Sequence, residues 1–295
     1  MIWDVIPVTS RSKLMNNIYR QLKEKFIMKD AFSDWKDYRE SLTDIVSSYP
    51  GEKLAIVGAG RCNDIDVNRL YETFSGITLI DIDEEAMREG MAHLDDETME
   101  KTEIKRLSVN GLYEEDIDSF CDELLNYVRT QGNNLTKEAY ENKLLDMLDE
   151  LKNEMLSGME LLDERFIRES FDVVVCNGVF SQLFSMISYF VHSVSYSISD
   201  AGLFDTADIV VGADKKLSLI NDEIIPVIIK GIICMAEKTV IFGNEYNKAE
   251  GAYQCIKFIK DNYEADEKII RWNFNSKEKT EYDMLIQIIN KNIEI

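Results

Sequence analysis

The chain has 295 residues, 45% of them apolar, and a formal net charge of −22. That length buries a large core, as one domain or a domain with additions. No apolar run reaches the length needed to cross a bilayer, and so acidic a surface repels phosphate backbones, which sets nucleic acid aside as a substrate. Solubility alone accounts for such a charge; a cationic substrate or a basic protein partner would also suit it. Cys62, Cys121, Cys176, Cys234 and Cys255 are odd in number and without C-x-x-C spacing. They point to neither a zinc site nor a disulfide framework, and fit free thiols in a reducing cytoplasm. The opening MIWDVIPVTS carries an acid and no basic leader, unlike a signal peptide, so the expected location is cytoplasmic.

Residues 1–50 read as helical. Leu14, Met15, Ile18, Leu22 and Phe26 form one apolar stripe, with Thr9 or Ser10 placed to cap it. Trp35, Tyr38, Leu42, Ile45, Val46 and Tyr49 form a second, ended by Pro50-Gly51. Leu54 to Val57 is a short apolar run of the kind found in a strand buried on both faces. Gly58-Ala59-Gly60 follows at once, and two close glycines let the backbone turn tightly and lie against a ligand. Asn63 or Asp64 can cap the next helix, in which Val67, Leu70, Tyr71 and Phe74 share one face; Gly76 can end it. Ile77 to Ile80 reads as a second buried strand, ending on Asp81. A carboxylate about 20 residues past the glycines suits ribose hydroxyls.

Two cofactors fit such a unit: a dinucleotide or S-adenosylmethionine. The dinucleotide pattern wants a glycine or alanine where Asn63 stands. The stretch 53–85 resembles motif I and its acidic partner in class I S-adenosylmethionine-dependent methyltransferases. The resemblance implies that Gly58, Ala59 and Gly60 turn beneath the methionine part. It also implies that Asp81, with Ile82 beside it, meets the ribose. Ile56 stands where that family often has an acid, and Cys62 where it often has a third glycine.

Further along, Asp83 can cap a helix with Glu84 and Glu85 in its first turn, ending near His93. Residues 95–103 read as a polar connection and Ile104 to Val109 as a third strand, followed by Asn110-Gly111. The resemblance places Ser108 or Asn110 near the adenine amino group. Residues 112–166 read as two acidic amphipathic helices inserted between the third and fourth strands, with 131–134 between them. They could pack on the sheet, act as a lid, or form a homo-oligomer contact. Phe171 to Gly178 has the β-branched run and small polar tip of a central parallel strand. It resembles motif IV of the family, which implies that Cys176, Asn177 and Gly178 face the cofactor and that Val179 to Gln182 open the acceptor site. Cys176 is not preceded by proline, and a buried structural thiol is the better reading. Residues 180–199 read as an apolar helix carrying His192, and 200–215 as a loop. Asp222 opens a helix to Ala236 with Pro226 in its first turn. Lys238 to Phe242 reads as the fifth strand, 248–261 as a helix, and 268–274 with 282–289 as two closing strands.

The expectation is therefore an α/β fold: a doubly wound, mostly parallel seven-stranded sheet with N-terminal helices and a helical insertion. Residues 1–50 would form a helical cap and 51–295 a Rossmann-like domain. The resemblance implies a methyltransferase using S-adenosylmethionine on a small-molecule or protein acceptor, with no nucleic acid or membrane partner. Phe180, Gln182 and Tyr246 would lie on the acceptor side, and Phe180, Phe184 and Tyr246 would supply rings near the sulfonium. No residue stands out as a general base. An NAD-linked oxidoreductase and a non-catalytic cofactor-binding or interaction protein of the same fold are the alternatives.

Overall fold

A computed structural model describes residues 18–166, 170–246 and 250–291, with the backbone alone over 160–166. In chain order the elements are α1 (Ile18–Phe26), α2 (Ala31–Asp34), α3 (Lys36–Ser47), β1 (Lys53–Val57), α4 (Val67–Leu70), β2 (Gly76–Asp81), α5 (Glu84–Met91) and α6 (Asp96–Lys101). They continue with β3 (Thr102–Arg106), α7 (Glu114–Gln131), α8 (Lys137–Phe166), β4 (Phe171–Asn177), α9 (Ser185–Asp200), α10 (Ala207–Met235), β5 (Ala236–Glu245), α11 (Glu250–Asn262), β6 (Asp266–Asn275) and β7 (Thr280–Asn290). Leu14, Met15 and the proposed caps Thr9 and Ser10 lie outside the described residues.

The chain divides into two compact units. One comprises Met1–Ile27, Gly111–Gly158 and Phe184–Glu223; the other comprises Met28–Asn110, Met159–Leu183 and Ile224–Ile295. The first is helical. Within it the Tyr19 backbone N–H donates to Asp118 Oδ1 at 2.7 Å, the Tyr140 and Ser195 hydroxyls lie 2.9 Å apart, and Lys216 pairs with Asp149 at 2.5 Å. The expected insertion thus shares its unit with α1, α9 and the first part of α10.

The second unit holds a seven-stranded sheet in the order β3-β2-β1-β4-β5-β7-β6. β1 pairs in parallel with β2 and β4, β2 with β3, and β4 with β5; β7 runs antiparallel to both β5 and β6. Every residue of β1 after Lys53 is buried, as central strands covered on both faces require. Leu54, Ile56, Ile77, Leu79, Val173, Val175 and Ile241 alternate onto one face, where they share a core with Tyr38, Leu42 and Val46 of α3 and Met87 of α5. Asn244 faces the other way, and its Nδ2 lies 3.4 Å from Cys255 Sγ of α11. Helices on both faces make the sheet doubly wound. The strand order reverses between β1 and β4, and the crevice at such a reversal is where open α/β sheets bind ligands. At the opposite strand ends Asp172 ties three strands together. Its Oδ2 accepts from the N–H groups of Glu52 and Lys53 at 2.6 and 2.9 Å, and its Oδ1 meets Lys238 Nζ at 2.6 Å.

Several boundaries differ from the sequence reading. The cap of α4 is Asp66, whose side chain accepts from the Arg69 N–H, and not Asn63 or Asp64. Gly76 opens β2 instead of closing a helix, because α4 ends at Leu70 and the chain turns before the strand. A short helix capped by Asp95 precedes β3, which starts at Thr102. The largest difference is α10. It begins at Ala207, so Pro226 lies inside a helix and not in its first turn. Ile209, Ala213, Leu217, Ile220 and Ile224 are all buried, and their spacing of three or four carries the helical stripe through the stretch read as a loop.

Candidate functional site

The loop leaving β1 folds back across the tip of β2. The Gly58 and Ala59 N–H groups donate to the Ile80 carbonyl at 2.8 and 3.2 Å, and the Gly60 N–H donates to Asp81 Oδ2 at 2.9 Å. Gly58 and Gly60 have φ of 73° and 47°, the left-handed region that glycine enters without penalty. The two glycines differ in use. A Cβ on Gly58 would lie 2.1 Å from Val179 Cγ2, whereas one on Gly60 would meet nothing within 4 Å. Gly58 therefore makes room for the chain leaving β4, and the open space lies over Gly60. Cys62, where a third glycine was looked for, has φ of 53°. The backbone keeps a glycine-like turn there with a side chain in place.

Asp81 is the hinge of this arrangement. Its Oδ1 accepts from the Asp83 N–H at 2.9 Å while its Oδ2 holds Gly60. Burial raises its pKa above the ordinary carboxylate value, and the N–H bonds from Asp83 and Gly60 oppose that rise. A carboxylate offers about four acceptor positions, so two hydrogen bonds leave capacity for a ligand's hydroxyls. Asp83 accepts from the Ala86 N–H at 2.9 Å and caps α5 as expected. Ile82 joins the two aspartates. Past β3, Ser108 Oγ donates to Asn110 Oδ1 at 2.8 Å, and the Leu107 N–H donates to the Asp81 carbonyl at 2.9 Å. Ser108 and Asn110 thus follow directly on the strand beside Asp81.

At the tip of β4, Asn177 sits in a polar chain that sequence reading did not find. Its Oδ1 accepts from the Tyr38 hydroxyl at 2.7 Å, and its Nδ2 donates to Asp64 Oδ2 at 2.5 Å. Burial pushes up the pKa of Asp64, against the lowering effect of Asn177. It also pushes up Tyr38, helped by the Asp64 charge. A Cβ on Gly243 of β5 would fall 1.9 Å from Asn177 Oδ1, so glycine at 243 is what lets the amide lie there. Gly178, at φ 66°, donates its N–H to the Gly243 carbonyl at 2.9 Å. Cys176 alternates to the opposite face; it is fully buried, and burial raises its thiol pKa. Its side chain is structural, as the sequence suggested, and does not share the face of Asn177.

The expected acceptor residues scatter. Phe180 is buried against Phe242, ring centres 6.2 Å apart, on the face away from Asn177. Gln182 Nε2 donates to the Gly178 carbonyl at 3.0 Å, so it stays at the tip of β4. Tyr246 is exposed, with its N–H on the Asp283 carbonyl at 2.7 Å. Phe184 belongs to the helical unit, as does His192, which pairs with Asp214 at 2.9 Å. The aromatic rings on the Asn177 face are others. Tyr38 stacks on Trp272 with centres 4.9 Å apart, and Trp35 meets Trp272 edge-on at 4.7 Å. Tyr38 and Trp35 were visible as a helical stripe, but nothing in the sequence joined them to Trp272, more than two hundred residues away.

These strand ends bring together a glycine loop with open space above it, the half-buried carboxylate of Asp81 and the buried amide of Asn177 at a topological switch point. That combination can hold a ligand bearing vicinal hydroxyls. A pyrophosphate would want a helix N-terminus directly after the glycines, and α4 starts only at Val67 and lasts four residues. Among the described residues no group of three His, Cys, Asp or Glu side chains could hold a metal ion.

No model of a protein family matches the chain, and no curated protein does. Among solved structures it is similar to the N-methyltransferase NodS from Bradyrhizobium japonicum bound to S-adenosyl-L-homocysteine. The identity is 12%, with 94% of this chain and 99% of that chain covered and a TM-score of 0.44. It is also similar to magnesium protoporphyrin IX methyltransferase from Synechocystis with bound SAM, at 10% identity, 93% coverage of each chain and a TM-score of 0.41. An rRNA methylase from Streptococcus thermophilus matches at 10% identity over 85% of this chain and 94% of that one, with a TM-score of 0.38. These are distant likenesses; the fold of this chain stands on its own strand order, a doubly wound seven-stranded α/β sheet with an antiparallel final pair.

Proposed function

We propose that the protein is an S-adenosylmethionine-dependent methyltransferase acting on a small-molecule or protein acceptor. The observation that carries this reading is the contact between Gly60 and Asp81, with N–H to carboxylate at 2.9 Å. It joins the glycine loop to the acidic strand tip, against which an S-adenosyl cofactor would lay its ribose. The open space over Gly60 and the polar tip of β4 at Asn177 and Gly178 support the same placement. When bound, the cofactor supplies an already electrophilic methyl group. The protein then has mainly to orient a nucleophile, and orientation is worth much of the barrier.

The late, short α4 argues against the dinucleotide alternative. The charge of −22 supports an acceptor other than nucleic acid. Isothermal titration of the full chain with S-adenosylmethionine, S-adenosylhomocysteine and NAD tests the reading. Saturable binding of the two S-adenosyl compounds and none of NAD is expected; tight NAD binding without them would sink it. Cofactor binding without methyl transfer to any amine, hydroxyl or thiol would leave the non-catalytic alternative standing.

A further inference from the structure

Glu245 is the last residue of β5, two positions beyond Gly243 and therefore on the face that carries Asn177. It is only 7% exposed. Its Oε1 accepts from the Ser181 hydroxyl at 2.8 Å, and its Oε2 is buried with no hydrogen-bond partner among the described residues. No described cation pairs with it. A carboxylate is acceptor-only and is costly to bury with an oxygen unmatched. Native structures seldom leave such an atom without a purpose. Trp272, 3% exposed, also has a buried indole N–H with no partner among the described residues, and its ring stacks on Tyr38. Burial and the Asp64 charge raise the Tyr38 pKa, and the Glu245 charge adds to that; Tyr282, raised by burial, feels Glu245 as well. Glu245, paired with Met284 of β7, thus lies on the sheet face whose core holds Tyr38 and Trp272, and Asp64 on that side is offset in part by the Arg39 cation.

We infer that Glu245 is the anchor of an acceptor subsite for an amine, the ammonium or amine N–H donating to Glu245 Oε2 beside the Tyr38 and Trp272 rings. The choice among nucleophiles follows from the groups present. An ammonium offers up to three donors and a charge, and is attracted both by a carboxylate and by aromatic faces. A carboxylic acid or phosphate acceptor would meet Glu245 and Asp64 as like charges. A hydroxyl would satisfy Oε2 but leave its charge uncompensated. This inference rests on the methyltransferase reading for calling the subsite an acceptor site; the binding itself does not depend on it.

The test uses the full chain, with and without saturating S-adenosylhomocysteine, in titration calorimetry. The probes are three amines paired with neutral counterparts: benzylamine with benzyl alcohol, 2-phenylethylamine with 2-phenylethanol, and spermidine with 1,8-octanediol. At least one amine should bind tenfold or more tightly than its alcohol. Glu245→Gln should remove that preference at least tenfold while leaving S-adenosylhomocysteine affinity unchanged. Ser181→Ala, which keeps the carboxylate, should retain the preference, so loss through misfolding is distinguished from loss of the anchor. If the parent prefers no amine over its alcohol, or if Glu245→Gln keeps the preference, the inference is overturned. Binding of S-adenosylhomocysteine with no amine preference would overturn it alone. An amine preference without S-adenosylhomocysteine binding would overturn the methyltransferase reading and leave the amine subsite.

Discussion

Asn177 is satisfied on both ends of its amide, and both partners lie more than a hundred residues before it in the chain. The Tyr38 hydroxyl donates to it and Asp64 accepts from it. Removing the hydroxyl in Tyr38→Phe leaves Asn177 Oδ1 short of a donor in a buried place, which costs about 1–3 kcal/mol. Urea unfolding should show a lower midpoint, by that free energy divided by the slope, with the slope unchanged. An unchanged midpoint would mean that water replaces the phenol. Gly243→Ala should be more damaging, because its Cβ would fall on the Asn177 amide oxygen. At this scale the sequence was legible where chemistry is local. Gly58, Gly60, Asp81 and Asn177 sit at the ends of apolar runs and read as a site directly. Asp64 was taken for a helix cap because its partner is 113 residues away, and no spacing rule pairs residues at that distance. Glu245 was passed over for the same reason, since Ser181 is 64 residues from it.

The strands were the elements best read in advance, because β1, β2 and β4 are buried on both faces and appear as unbroken apolar runs. Helices were read well where one signal was clear, the apolar stripe in α3 and the Asp83 cap in α5. They failed at α10, where Pro226 and a polar stretch hid a continuous buried stripe. Asp172 adds a side-chain tie between the starts of β1, β4 and β5. Its pKa is lowered, first by the Lys238 hydrogen bond and then by the Lys53 N–H, with the Glu52 N–H adding to these. A carboxylate depressed in the folded state contributes stability above its unfolded pKa, about 3.9, and loses it as pH falls through the folded value. Asp172→Asn should therefore be less stable than the parent at pH 7, and the gap should close as the pH is taken below 4. Paired urea titrations at pH 7 and pH 3 check this. A gap that stays constant would show that the ion pair is not what stabilises the strand starts.

The molecule as a whole carries 55 acidic against 33 basic side chains. Charge far from zero destabilises the compact state by self-repulsion, and added salt screens it within about 10 Å at 0.1 M. Melting temperature should rise between 20 mM and 300 mM sodium chloride. A fall would mean that exposed ion pairs such as Arg88 with Glu84, at 2.6 Å, outweigh the repulsion. Among the described residues no helix is long and apolar enough to cross a membrane. The doubly wound plan was legible from the alternation of strand and helix patterns. The division into a sheet unit and a helical unit was not. The helical unit gathers α1, α7, α9 and parts of α8 and α10 from three separate stretches, and apolar periodicity says which face of a helix is buried but not against what.

On the proposed function, Asp81 at the tip of β2 receives the ribose of an S-adenosyl cofactor. Because the same carboxylate also holds Gly60 and Asp83, Asp81→Asn is the fitting variant: its amide oxygen keeps one acceptor while the charge is lost. Charge-assisted hydrogen bonds contribute about 1.5–3 kcal/mol, and about 1.4 kcal/mol is tenfold in affinity. Titrating the parent and Asp81→Asn with S-adenosylhomocysteine, beside Asp83→Ala as a helix-cap control, should show saturable binding by the parent. Asp81→Asn should weaken it by roughly one to two orders of magnitude, while Asp83→Ala loses about 1 kcal/mol of stability with little loss of affinity. A parent that does not bind, an Asp81→Asn variant that binds like the parent, or an Asp83→Ala variant that alone loses binding would contradict the account.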